Sequence, residues 1–136
     1  MDVLDKFKER LVAELDVALP IVCQELEDMK KSYFSPQGKE GWQPLKENTV
    51  KRKNRRSPNH ANSFNLEYGY LRNSINIDYQ LSQNEIEIIV TANHREGDGA
   101  INRLIYDYGR DFFNFDEKEI AFIVRRLREL IAESFR

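Results

Sequence analysis

From Asp2 to about Tyr33, apolar residues recur every three or four positions: Leu4, Phe7, Leu11, Leu15, Leu19, Val22, Leu26, Met29 and Tyr33. That spacing predicts one long helix, residues 2–33, carrying a single apolar stripe. Pro20 lies inside the pattern, where a missing N–H and a crowded carbonyl produce a kink or a break. The stripe continues in phase beyond it, which favours the kink. Farther along the period falls to two. Ile75, Ile77, Tyr79 and Leu81 alternate with polar residues, Ser82-Gln83-Asn84 make a short connection, and Ile86, Ile88 and Val90 alternate again. This predicts an antiparallel hairpin with one buried face. Ile89 points to the other face, which is therefore expected to be partly covered. The helical period returns after Asp116 with Ile120, Ile123, Val124, Leu127, Leu130 and Ile131, and Glu119 stands at the capping-box distance from Asp116. An amphipathic C-terminal helix over 116–135, packed on the sheet, is expected.

The fold class is accordingly α+β: a small antiparallel sheet flanked by a long N-terminal helix and an amphipathic C-terminal helix. At 136 residues the chain fits one domain over 1–136. It divides into the helix 2–33, a loop 34–65 with a basic run, a hairpin core 66–115, and the helix 116–135. Turn formers at Ser35-Pro36-Gln37-Gly38 open the loop, and Trp42 and Leu45 then bracket Pro44. Such a Trp either plugs the edge of a core or serves as a partner anchor. Asn93 to Gly99 is glycine-rich without phosphate-binding spacing and reads as an excursion. Ile101 to Tyr108 suggests a short helix closed by Gly109.

Composition narrows the function. No apolar run reaches the about 18–20 residues that span a membrane, and Met1-Asp2-Val3-Leu4-Asp5-Lys6 lacks the basic start and apolar core of a secretory signal. Synthesis in a cytoplasm is expected. Cys23 has no second cysteine to pair with and reads as a small buried hydrophobe. The charge is polarised: Lys51-Arg52-Lys53-Asn54-Arg55-Arg56 carries five positive charges in six residues of a chain whose net charge is −2. Followed by Ser57-Pro58-Asn59-His60-Ala61-Asn62-Ser63, it reads as a charged loop, either solvated or set against DNA phosphates or an acidic partner surface. The acidic remainder opposes general DNA binding.

No constellation points to catalysis. His60 and His94 stand in separate polar segments without cysteine or carboxylate at ligand spacing, Glu85 and Glu87 read as solvated carboxylates on a strand, and no nucleophile-elbow motif is present. A hydrolase or nuclease would need a metal or nucleophile that these residues do not offer. No catalytic, cofactor or metal residues are therefore assigned. The candidate interaction residues are Trp42, Lys51, Arg52, Lys53, Arg55, Arg56, Ile89 and Arg110.

The order Gly41-Trp42-x-Pro44-Leu45, Thr49, the basic run, Leu66-x-x-Gly69-x-Leu71-x-x-Ser74-Ile75, Ile105-x-x-Tyr108-Gly109 and Arg110-x-Phe112 resembles the phage virion-morphogenesis family of tail-completion and head–tail joining proteins. The resemblance covers roughly residues 33–115. It departs at Tyr68 and Tyr106, where members often carry Thr and His, and at the adjacent Gly109 and Arg110, where they often have a longer loop. It implies a structural, non-enzymatic role at the neck or tail end of a tailed phage or prophage. The protein would act as a ring of identical subunits among other neck and tail proteins, in the bacterial host cytoplasm during assembly and then in the virion. Closing such a ring needs two different complementary patches on each chain; the hairpin face and the N-terminal helix are the candidates. A free-standing DNA-binding accessory protein using 51–56 is the alternative.

Overall fold

The computed structural model describes residues 2–56, 70–82, 85–93, 104–105 and 110–135, without the side chains of Arg56 and Tyr70. In chain order the elements are α1 (Val3–Ser32), α2 (Glu47–Arg56), α3 (Tyr70–Ser74), β1 (Asn76–Leu81), β2 (Ile86–Thr91) and α4 (Glu117–Ser134). The two strands pair as an antiparallel hairpin, so the chain is α+β as its periodicities indicate. The segment 57–69, the glycine-rich segment with His94, the connection at Gln83 and Asn84, and most of the expected helix 101–108 lie outside the described residues.

Local chemistry fixes the helix ends. Asp2 Oδ1 accepts from the Asp5 N–H at 2.8 Å and caps α1, and Lys30 and Lys31 in the last turn face the negative end of its dipole. The helix runs through Pro20 without a break. At α4 the capping box forms in full: Asp116 Oδ1 accepts from the Glu119 N–H at 2.8 Å, and Glu119 Oε1 accepts from the Asp116 N–H at 3.1 Å. Glu119 is buried by this exchange.

The chain forms two compact units. The first comprises Met1–Leu26, Ile77–Ile89 and Phe115–Arg136. In it Ala18, Leu19, Val22, Cys23, Leu26 and Ile77 are buried. Arg126 Nε donates to Glu25 Oε2 at 2.9 Å and to Oε1 at 3.1 Å, and this pairing holds the Arg126 pKa above its ordinary value. Tyr79 Oη lies 3.4 Å from Asp16 Oδ1; desolvation and then the Asp16 charge raise its pKa. Near the helix ends Phe7 meets Phe135 at 5.9 Å between ring centroids, with the Arg10 guanidinium 4.2 Å over the Phe135 ring.

The second unit comprises Glu27–Asn76 and Val90–Asn114. Its core is Phe34, Leu71, Ile75 and Phe112, with Tyr33, Trp42, Ala92, Leu104, Ile105 and Phe113 packed against it. Phe34 and Phe112 meet edge-on at 5.2 Å. Lys30 is fully buried, and its Nζ donates to the carbonyls of Phe112 at 2.8 Å and Asn114 at 3.3 Å. Those carbonyls belong to a turn closed by Asp111, whose Oδ1 accepts from the N–H groups of Phe113 and Asn114, both at 2.9 Å. Ser74 Oγ accepts from the Asn93 N–H at 2.8 Å, fastening the end of α3 to the residues after β2.

Four expectations change. The basic run is helical where a loop was expected: Lys and Arg are good helix formers, and Glu47 pairs with Lys51 one turn on at 3.1 Å. The α1 stripe is covered only in its second half, since Leu4 and Phe7 are 58% and 52% exposed. On α4 the apolar stripe is wider than its cover: Ile123, Leu127, Leu130 and Ile131 are half-buried, whereas Ile120 and Val124 are exposed. On the hairpin, Ile77 is buried and Ile89 half-buried as expected, but Ile86 stands exposed.

Lys30→Met keeps most of the side-chain volume but strips the buried Phe112 carbonyl and the part-buried Asn114 carbonyl of this donor, so it should destabilise the protein by about 1–3 kcal/mol in urea titrations. Burial, and next the charge of Asp78, raise the Cys23 pKa above its ordinary 9.0. The folded state therefore favours the neutral thiol. Its contribution is complete below the unfolded thiol's pKa and is lost as pH rises toward the higher folded value. Unfolding free energy measured from pH 8 upward should fall with pH, and Cys23→Ala should remove the part of that slope beginning near 9.0.

Candidate interaction surfaces

The helical repeat turns the basic run into a two-sided element. At about 100° per residue, Asn48, Lys51, Arg52 and Arg55 fall within an arc of about 100°. All four are exposed. Thr49 and Val50 are half-buried and Lys53 is buried at 4% exposure on the remainder of the helix. A cationic face is thereby separated from a packed one. The opposing carboxylate on this face is Glu47, which shares Lys51 in an exposed i,i+4 pair. Arg52 and Arg55 project planar guanidinium groups suited to bidentate phosphate or carboxylate recognition.

The other candidates distribute differently. Trp42 packs against the Phe34 core and meets Tyr33 edge-on at 5.9 Å, so it acts as a core plug. Gly41 just before it takes φ +92°, a left-handed conformation that glycine adopts without a Cβ penalty. Lys53, expected among the surface cations, is instead buried. Arg110 is half-buried, and its backbone N–H donates to Leu104 O at 2.9 Å. Arg56 extends the basic helix, its side chain outside the described residues. The structure thus brings Lys51, Arg52 and Arg55 together, assigns Lys53 to the interior and leaves Trp42 half-buried against the core.

A second surface is apolar and is built within the first unit. The open half of α1 and the hairpin tip enclose a groove of about 900 Å³. Leu11, Val12 and Leu15 line it from the helix, and Leu81 and Ile86 from the strands. Lys8, Glu9 and Glu85 supply its charged groups. Beyond it, Val3, Leu4, Phe7, Val17 and Ile21 leave further apolar area on α1 exposed. Part of this was readable from the sequence: Val17 and Ile21 lie off the main stripe, so the helix has apolar residues on two sides.

Among the described residues no group of three or more His, Cys, Asp or Glu is placed to hold a metal ion, and no helix is long and apolar enough to cross a membrane. Fold and surfaces define a small α+β protein with a basic helix and an open apolar groove. No family model, curated protein or solved structure matches the chain.

Reversing Arg52 and Arg55 to Glu should leave stability within about 0.5 kcal/mol, because both are exposed. Lys53→Glu places the opposite charge in a buried position and should cost about 2 kcal/mol or more. Urea midpoints of the three variants check the distinction.

Proposed function

We propose that the chain is a structural morphogenesis protein of a tailed phage or prophage, acting in tail completion or head–tail joining as a ring of identical subunits that contacts other neck or tail proteins. The observation that carries this reading is the apolar surface left open on both long helices, at Leu4, Phe7, Val12, Val17 and Ile21 of α1 and Ile120 and Val124 of α4. Apolar surface distributed this way favours association with protein. The order of motifs around Trp42, Leu71, Ser74, Ile75 and Phe112 adds the resemblance to head–tail joining proteins. In this role the protein works by fitting surfaces, without catalysis or a cofactor, in the host cytoplasm and then in the particle.

Electron microscopy of particles induced from a strain lacking the gene tests the proposal. Separate filled heads and tails are expected for a joining or completion protein, and tails of uncontrolled length for a terminator. Normal infectious particles would overturn it.

One observation favours a second reading, DNA contact through α2: Lys51, Arg52 and Arg55 share one exposed face. On that reading the purified protein binds duplex DNA with an affinity that falls steeply with salt. Replacing the three residues by Gln should lower the slope of log K against log salt by about 0.9 for each phosphate that is no longer neutralised. A slope identical to that of the unaltered protein would exclude α2 as the DNA-binding element.

A further inference from the structure

The exposed edge of α4 and the groove beside α1 have matching character. On α4, Ile120 and Val124 are exposed one turn apart, at 51% and 42%. Ala121 lies beside them and is exposed as well. Lys118, Arg125 and Arg128 flank the row, all exposed, with two carboxylates near them, Glu117 and Glu129; Glu129 shares Arg125 in an exposed pair at 3.7 Å. The edge is apolar along its crest and positive at its side.

The groove is the counterpart. Leu11 and Leu15 repeat one helical turn apart, the same spacing as Ile120 and Val124, and Leu81 and Ile86 form the facing wall. Its charged groups are two carboxylates, Glu9 and Glu85, and one ammonium, Lys8. Asp5, one turn before Glu9, and Glu87, two residues beyond Glu85, are exposed too and extend both acidic borders.

We propose that the occupant of this groove is a second copy of the same chain, which inserts the Ile120–Val124 edge of its α4, with Arg125 and Arg128 set against Glu9 and Glu85. Apolar side chains provide the buried centre of the contact and opposite charges fix its orientation at the rim. Groove and edge are different patches, so the contact is heterologous: each subunit uses its groove for one neighbour and its edge for the next, and the series closes as a ring or continues as a filament. This deepens the reading of a self-assembling morphogenesis protein and rests on it.

Sedimentation velocity on the full chain tests the contact. Val12→Glu blocks the groove and Val124→Glu blocks the edge, both at surface positions, with circular dichroism and urea midpoints as folding controls. The unaltered chain should associate as its concentration rises, and each variant should bind about 30-fold or more weakly. Mixed together, the two variants should form 1:1 pairs that do not grow, because a single intact groove and a single intact edge remain. Glu85→Arg and Arg125→Glu form a second set that leaves the apolar centre untouched; each should weaken association alone and recover it in the mixture. Association of the Val12 and Val124 variants equal to that of the unaltered chain would overturn the contact while leaving the assembly role standing. So would a groove filled by another phage protein, seen as binding of that protein blocked by Val12→Glu with the chain itself monomeric. Normal particles from the gene deletion would instead remove the assembly role, whatever the sedimentation result.

Discussion

The second unit is tied together by a buried cation. Lys30 stands where the apolar stripe of α1 would place one more hydrophobe, a turn beyond Leu26, and its ammonium reaches the backbone carbonyls of Phe112 and Asn114. A charge removed from water is tolerated only when its donors are used. Here the requirement fixes geometry: α1 must end close to the Asp111 turn, and Phe112 must present its carbonyl as its ring enters the core against Phe34. The same turn leads two residues later to Asp116, where α4 is capped. One side chain near the end of the first helix thus orders the turn that precedes the last.

Much of the architecture was legible because periodicity reports burial directly. The hairpin from Ile75 to Val90, the helix from Val3 and the capping box at Asp116 each follow from spacing alone. The basic run was legible in charge but not in shape. Like charges argue for solvated chain, yet the long aliphatic stems of Lys and Arg favour helix and let one of them, Lys53, be buried along its packed side. Lys30 was unreadable for a related reason: nothing in a local pattern says that two carbonyls more than eighty residues away will receive its proton donors. Ile120 and Val124 read as core because an apolar stripe does not state how much of its width will be covered.

The residues that carry the resemblance to head–tail joining proteins serve construction. Trp42, Leu71, Ile75, Ile105 and Phe112 belong to or pack on one core, and Ser74 fastens α3 to Asn93. Such an order of motifs speaks to how a core is built. The open apolar faces are made of residues outside that order, whereas the cationic side of α2 is the basic run within it.

The uneven cover of α1 has a consequence for its motion. Its backbone is helical from Val3 to Ser32, with the one bond that Pro20 cannot donate missing, but its hydrogen bonds are shielded by tertiary packing only where Ala18, Leu19, Val22, Cys23, Leu26 and Lys30 are buried. A helix held by a buried face at one end and at the other only by exposed contacts such as Phe7 and Arg10 on Phe135 opens progressively from the less covered end. Amide deuterium uptake along this single helix should be graded accordingly, fast in the first three turns and slow from about Leu19 onward, one helix containing both soft and firm backbone.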